Sequence, residues 1–427
     1  MLKKIGLTVL LFALAACGQT TSFKAANIFQ PRNLYRPYDN FGDYSAQSEQ
    51  SKDAFEVAML LPLSGKSASY GRGMQNAAMM ALEDANNHKL SVRFYDTKSS
   101  SEGAQNALSE ALKNNAKLIL GPLTSDEVMA VSSLARTRRI PVISFSTAPY
   151  VLGDGVYTLG LLPDEQIRRI ISYAAQNGRL KIALVLPETS AGLNIAKSAL
   201  DAASENNISI TKIGFYEPST LEFSQLVQDM IKNPDFDSIL IAETGNRLKA
   251  IASTFGYFDV AYPDVLFLGT SVWENTSLSK ETTLFKGLYP AISRVHNDYF
   301  TKKYTELFGE HPNNLYSLAY DGIALASALS FNKDGYLHEH ITNPDGYIGI
   351  NGAFRLFANG TNEHALDVVE VGAKGGKTVS TAPKKFAPKT YHPTYATDTR
   401  PEIYGKDADI VYQKLFPAQT PSYFYMW

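Results

Sequence analysis

The sequence predicts an α/β protein of two lobes, each a parallel sheet between helices, and three observations carry that prediction. Short apolar runs alternate with helical stripes from residue 54 to about residue 331, and turns rich in Gly, Pro and Ser separate them. The chain of 427 residues is long enough to bury two cores. Its single cysteine, Cys17, excludes an internal disulfide, so apolar burial has to hold the fold together.

Taken in order, Lys3 and Lys4 precede an apolar stretch over residues 5–13, which is too short for a comfortable membrane span and has the form of a secretory signal. It ends in Leu14-Ala15-Ala16-Cys17, which resembles a bacterial lipobox. On that reading residues 1–16 are a lipoprotein signal peptide. Cleavage before Cys17 then leaves a thiol carrying a diacylglycerol and an amino group carrying a further acyl chain such as palmitate. Two or more chains give lasting attachment where one is marginal. The alternative is a plain signal peptide with an idle cysteine. Gly18 rather than Asp follows Cys17, and the usual Gram-negative sorting habit then implies the periplasmic face of the outer membrane. Residues 17–53 read as a lipid-anchored flexible tether. Its part after the cysteine would span roughly 30 to 35 Å as a coil and about 120 Å at full stretch. Tyr35, Tyr38, Phe41 and Tyr44 within it either dock on the body or a partner, or stay idle.

Phe55 to Leu61 is almost wholly apolar and closed by Pro62, the pattern of a parallel strand covered on both faces. Met74, Ala77, Ala78, Ala81, Leu82 and Ala85 then form one helical stripe, and Leu90, Val92 and Phe94 alternate with polar neighbours in a returning strand ending at Asp96. This is a βαβ unit, whose ligands sit beyond the carboxyl ends of its strands. Helices over about 102–115 and 125–138 lead to strands at 117–120 and 141–145, and residues 155–161 leave the first lobe. The second lobe takes helices near 164–177, 193–205, 223–232 and 246–255, with strands near 181–186, 208–216 and 238–242. Residues 265–268 are expected to return to the first sheet, followed by helices near 296–308 and 314–331. Ala358-Asn359-Gly360-Thr361 between two apolar runs marks a hairpin. The expected division is therefore 54–160 plus 263–331 for lobe 1 and 161–262 plus 332–372 for lobe 2, with three hinge crossings. Residues 373–427 form a Pro/Tyr-rich tail without a core of its own. Ile410, Val411, Leu415 and Phe416 could make one docked helix there. The apolar end Tyr423-Phe424-Tyr425-Met426-Trp427 either packs back or meets a partner.

Several of these stretches resemble the type I periplasmic binding proteins of the Leu/Ile/Val-binding kind. The similarity lies in Leu60-Leu61-Pro62-Leu63-Ser64-Gly65, in Tyr70-Gly71-x-Gly73 and in Asp96-Thr97 at the strand end. It continues through Gly121-Pro122-Leu123-Thr124-Ser125 and Ile140-Pro141-Val142-Ile143-Ser144-Phe145-Ser146. With Gly160-Leu161-Leu162-Pro163-Asp164-Glu165-Gln166, the wording is most similar to the lipoprotein branch called penicillin-binding-protein activators. The resemblance covers about residues 55 to 372. It implies two Rossmann-like lobes joined by a three-segment hinge, and a regulator that binds a penicillin-binding protein, that is, a peptidoglycan synthase. It also implies a hairpin closing the second lobe, which residues 349–357 fit loosely.

Chemistry beyond recognition is thinly represented. Gly65-Lys66-Ser67 ends like a phosphate loop, but the Gly required five residues earlier is Leu60. Ser277-Leu278-Ser279-Lys280 matches the nucleophile motif of penicillin-binding enzymes, yet Lys377-Thr378-Val379 lacks the Gly of the partner motif. His338-Glu339-His340 offers two imidazoles without a third ligand, the composition of a solvated loop as much as of a metal site. No cofactor is expected, and a net charge of -2 leaves no basic footprint for nucleic acid. The remaining candidate is the cleft between the lobes, lined by Ser64, Tyr70, Thr124, Ser125, Ser146 and Thr147 on one side and by Glu243 and Ser271 on the other. Such groups suit a small polar ligand, a carboxylate or a sugar; equally, they can cap helices and close turns. In the amino-acid-binding relatives the loop after the returning strand supplies an acid for the ligand's ammonium. Here residues 269–273 contain none, and the first acid is Glu274. The expected function is a non-enzymatic activator of a synthase. The alternatives are a solute receptor of an ABC transporter and, on the Ser277 motif alone, a cell-wall enzyme.

Overall fold

The computed structural model describes residues 26–27, 55–275, 277–383, 386 and 400–416. The signal peptide, Cys17, the tether aromatics from Tyr35 to Tyr44 and the terminal aromatics from Tyr423 to Trp427 lie outside the described residues. Among the described residues no helix is long and apolar enough to cross a membrane.

The first strand, β1 (Ala26–Asn27), belongs to a small sheet described below. The βαβ unit follows as β2 (Phe55–Leu61), α1 (Ala68–Ala85) and β3 (Leu90–Asp96). It is extended by α2 (Ser101–Lys113), β4 (Leu118–Leu120), α3 (Ser125–Arg138), β5 (Val142–Ser144) and β6 (Val156–Thr158). These strands form a parallel sheet in the order β3-β2-β4-β5-β6. The continuous apolar run of β2 has its reason in that sheet. Val57, Met59 and Leu61 enter the core on one face while Ala58 and Leu60 enter the core on the other.

The second sheet begins after α4 (Pro163–Gln176), with β7 (Lys181–Pro187), α5 (Ser190–Glu205), β8 (Ser209–Tyr216), α6 (Ser224–Ile231), β9 (Ser238–Ile241) and α7 (Gly245–Tyr257). The next strand, β10 (Leu266–Gly269), does not return to the first sheet as the sequence suggested. It runs parallel to β9, with Leu266 opposite Ser238 and Gly269 opposite Ile241, and β11 (Leu288–Ile292) pairs on its other side. The chain regains lobe 1 only with α8 (Arg294–Phe308) and α9 (Asn314–Leu329), the latter packed along α1.

A short helix, α10 (His338–Ile341), leads into the hairpins β12 (Tyr347–Gly349), β13 (Gly352–Leu356) and β14 (Asn362–His364). With β1 these make a sheet in the order β1-β12-β13-β14. The sheet lies against lobe 1 rather than closing lobe 2. Tyr347, Ile350, Phe354 and Leu356 share a core with Ile323 and Met59, and the buried Asp321 carboxylate of α9 accepts from the amides of Ile350 and Asn351. Only β15 (Leu366–Glu370) and β16 (Lys377–Ser380) return to the second sheet, antiparallel beside β11. The chain does cross three times, but after β6, after β11 and between β14 and β15. The second and third crossings thus fall some thirty residues later than the sequence suggested.

The tail is woven into lobe 2. After β16, β17 (Glu402–Tyr404) pairs parallel with β8, and α11 (Ala408–Leu415) packs on α5, burying Val411 and Leu415 while Ile410 stays exposed. The full order is β16-β15-β11-β10-β9-β7-β8-β17, so tail strands occupy both edges.

Candidate functional site

The carboxyl ends of both sheets face one another across the crossings, and the loops there carry the candidate residues. On lobe 1 the loop after β2 is organised by Asp96, a residue that the sequence pattern alone did not mark as part of the site. Asp96 closes β3, and its carboxylate accepts from the amides of Leu63 (2.9 Å), Ser64 (3.1 Å) and Lys98 (2.8 Å) and from the Ser64 hydroxyl (2.6 Å). Burial alone would raise this carboxyl, but those donors outweigh it and hold Asp96 below the usual carboxylate range. Ser64 is therefore spent on the loop's own geometry. Tyr70, on the first turn of α1, keeps its ring exposed beside Tyr316.

Thr124 caps α3. Its hydroxyl accepts from the Glu127 amide, while the Glu127 carboxylate takes the Thr124 amide at 3.1 Å and the buried Thr97 hydroxyl at 2.6 Å. Ser125 follows as the first helical residue. Ser146 is buried, and its hydroxyl accepts from the Ala148 amide at 3.2 Å, whereas Thr147 is exposed.

On lobe 2, Glu243 lies two residues after β9 with its carboxylate engaged on both oxygens. It accepts from the Tyr216 hydroxyl (2.5 Å), the Arg247 guanidinium (3.1 Å) and the Thr244 amide (3.1 Å). Burial and the adjacent carboxylate push the Tyr216 phenol far up, so it remains a donor at any physiological pH. The Ser271 amide donates to Gln166 at 2.8 Å, which fixes the loop after β10 against the start of α4. Trp273 does not face the gap. It is buried beneath Gly269, where a Cβ would sit 2.1 Å from the indole, and its ring N–H donates to the Ile241 carbonyl. Glu274, the first acid of that loop, accepts from the Asn314 side chain at 3.4 Å and so links β10's loop to the start of α9 in the other lobe. Tail and lip also meet here, since burial and then the carboxylate of Asp407 raise Glu188 at the end of β7.

The eight predicted residues thus lie on the loops and helix starts that follow β2, β4, β5, β9 and β10, and four of them have internal duties: Ser64, Thr124, Ser146 and Glu243. Among the described residues no hydrogen bond engages the side chains of Tyr70, Ser125, Thr147 or Ser271. Asp96, Gln166, Tyr216 and Arg247 join the site from the structure alone. Of these only Asp96 carries a sequence signal, an acid closing a strand beside a Ser-Gly turn. The other motifs stay apart from the cleft chemistry. Ser277 and Lys280 are exposed on a turn, and His338 pairs with the Tyr157 hydroxyl. No group of three or more His, Cys, Asp or Glu among the described residues could hold a metal.

A family profile described as periplasmic binding protein matches residues 54–377. The chain belongs to that family. Its fold is the α/β architecture of the type I members, and the family is a periplasmic one. An uncharacterized protein of Rickettsia prowazekii is 23% identical over 347 residues, covering 77% of this periplasmic binding protein and 90% of the relative. A Rhodospirillum rubrum protein assigned to a branched-chain amino acid ABC transporter superposes with a TM-score of 0.68 at 17% identity, over 76% of this chain and 100% of that one. The binding protein LivJ of Streptococcus pneumoniae, solved in complex with isoleucine, gives 0.57 at 17% identity, over 77% and 99%. At these identities the likeness is one of fold. The two structures are spanned almost entirely, while nearly a quarter of this chain has no counterpart in them.

Proposed function

We propose that this chain is a non-enzymatic regulator, lipid-anchored through Cys17 at the periplasmic face of the outer membrane, that binds a penicillin-binding protein and stimulates its synthesis of peptidoglycan. The observation that carries the reading is the state of Glu243. It is the acid two residues after β9, and its two oxygens are already engaged by Tyr216, Arg247 and the Thr244 amide, while Glu274 is turned to Asn314. The acids that follow β9 and β10 are thus already engaged and are not left over for a ligand's ammonium, which favours recognition by the outer surfaces of the lobes. Strand β17 and helix α11, which lie beyond the residues matched by the family profile, enlarge the surface of lobe 2. Stimulation would follow if a lobe surface binds the active conformation of the synthase more tightly than the inactive one. Purified protein from Gly18 onward is expected to raise glycan polymerisation or cross-linking by a co-resident bifunctional synthase, measured on lipid II. Unchanged rates with every such synthase would sink the proposal.

A second reading is favoured by the free hydroxyls of Tyr70, Ser125, Thr147 and Ser271 and by the fold shared with an isoleucine-bound protein. It makes the chain a solute receptor of an ABC transporter for amino acids or related small polar ligands, closing about its hinge. A solute at 100 times its Kd should add about 2.7 kcal/mol of stability. Thermal-shift screening against amino acids, amides and muropeptides separates the readings: a clear shift with one solute class supports the receptor, and none supports the regulator.

A further inference from the structure

Two backbone facts fix where the leading segment joins the body. Ala26 pairs with Tyr347 and Asn27 with Ile348, parallel, and the Tyr347 hydroxyl donates to the carbonyl of His340 in α10. The described chain resumes at Phe55, the first residue of β2, whose ring meets Tyr336 edge-on at 5.4 Å and lies against Gly335. Both of these junctions fall beside the turn of residues 335–341. This is the end of lobe 1 where β2 and β3 begin, opposite the end where they point into the cleft. Cys17 precedes Ala26 by nine residues. With β1 paired, the sulfur can lie no more than about 30 Å from β12; without it the leash to Phe55 would reach roughly 125 Å.

The same end of the lobe exposes apolar surface. Phe331 is 64% exposed and Leu337 43% exposed. The Lys89 ammonium stands 5.5 Å over the Phe331 ring, and the Asn87 side chain ties that turn to Ser327 and Ser330 at the end of α9, so these groups form one face. An isolated exposed apolar residue is ordinary. Two of them at one end of the lobe, Phe331 with a cation over its ring, and within a short leash of the cysteine read as acylated, are placed where lipid would be met. Lys333 and the acids Asp334 and Glu339 on the same stretch offset one another in part, so apolar contact rather than charge has to carry the attachment.

We propose that this end of lobe 1, centred on Phe331 and Leu337 with Lys89 beside them, rests on the lipid surface that holds Cys17, so that the cleft faces away from the bilayer. The inference rests on the lipid-anchor reading above. Its test uses the full acylated chain on vesicles of phosphatidylethanolamine and phosphatidylglycerol containing doxyl-labelled lipid. A fluorophore is attached through Lys333→Cys or, at the cleft lip, through Lys66→Cys. Acylated Cys17 has no free thiol, so the parent chain should take no label; if it does label, the anchor reading and this inference fall together. With the parent unlabelled, quenching at position 333 is expected to exceed that at 66 several-fold and to drop to the level of 66 when Phe331→Ser and Leu337→Ser are added. Equal quenching at the two positions, or quenching at 333 that survives the double substitution, overturns the inference alone. A label at 333 shielded from water but not quenched would mean that protein covers the face, and overturns it as well.

Discussion

His364 closes β14, just before the third crossing, and its buried ring stacks on Phe354 at 5.7 Å. Burial pushes its imidazole down to about 4. Nearby in the same layer, burial pushes the Asp321 carboxyl up to about 7, although the amides of Ile350 and Asn351 favour its charged form. The two groups act oppositely on stability. For His364 the unfolded chain takes up a proton first, so stability present above the ordinary imidazole pKa is lost as pH falls towards 4, by about 3 kcal/mol in all. For Asp321 the folded chain retains its proton longer, so stability is greatest at low pH and declines as pH rises towards 7. The effects should nearly cancel between about pH 4 and 6.5. Replacing His364→Phe keeps the stacking and removes one side of the balance. Urea unfolding of this variant should show stability falling with rising pH across that window by about 1.4 kcal/mol per unit relative to the parent; an unchanged slope would show that His364 titrates normally. At this scale the sequence is a partial guide. It places hydroxyls and an acid at the strand ends, but what each of them engages depends on neighbours distant in sequence, such as Asp96 for Ser64 and Tyr216 for Glu243.

Helix α1 illustrates what periodicity reveals about an element. Its stripe of Met74, Ala77, Ala78 and Ala81 is buried as the spacing implies, and its small residues let it approach both the sheet and α9. A Cβ on Gly71 would lie 2.1 Å from the Pro62 carbonyl oxygen, a backbone atom that cannot step aside. Gly71→Ala should therefore destabilise the protein by at least about 2 kcal/mol, even though alanine gains about 1 kcal/mol in helix propensity. Chemical denaturation measures this directly, and a neutral or stabilising result would mean that α1 can shift. The strands themselves are equally legible, whereas their sheet is not. Leu266-Phe267-Leu268 is an apolar run that any fully buried strand could carry, and only its register against Ser238–Ile241 assigns it to lobe 2. The hairpin is marked by its Asn-Gly turn, but its place on α9 depends on Asp321 reaching the amides of a distant turn.

For the whole molecule, two lobes and three crossings are readable from alternation and length, while the positions of the crossings and the course of the tail are not. The tail is rich in Pro and Tyr and shows no period, yet β17 pairs with β8 and Lys212 of that strand, buried in its side chain, meets Glu402 at 3.2 Å and the Tyr404 hydroxyl at 3.0 Å. Deleting residues 400–427 would uncover that strand together with the contacts of Val411 and Leu415. Sedimentation velocity on the shortened chain should show concentration-dependent self-association that the parent lacks, since an unpaired strand is a template for another chain. A monomeric, equally stable product would show that the tail contributes nothing to lobe 2. With β16 on one flank and β17 on the other, the six inner strands from β15 to β8 have neighbours from their own chain on both sides. An extended peptide from another protein could add a rung only against the short outer strands β16 and β17, of four and three residues. So few backbone pairs are open there that whatever visits lobe 2 has to be gripped largely by side chains, and its specificity is open to change one surface residue at a time.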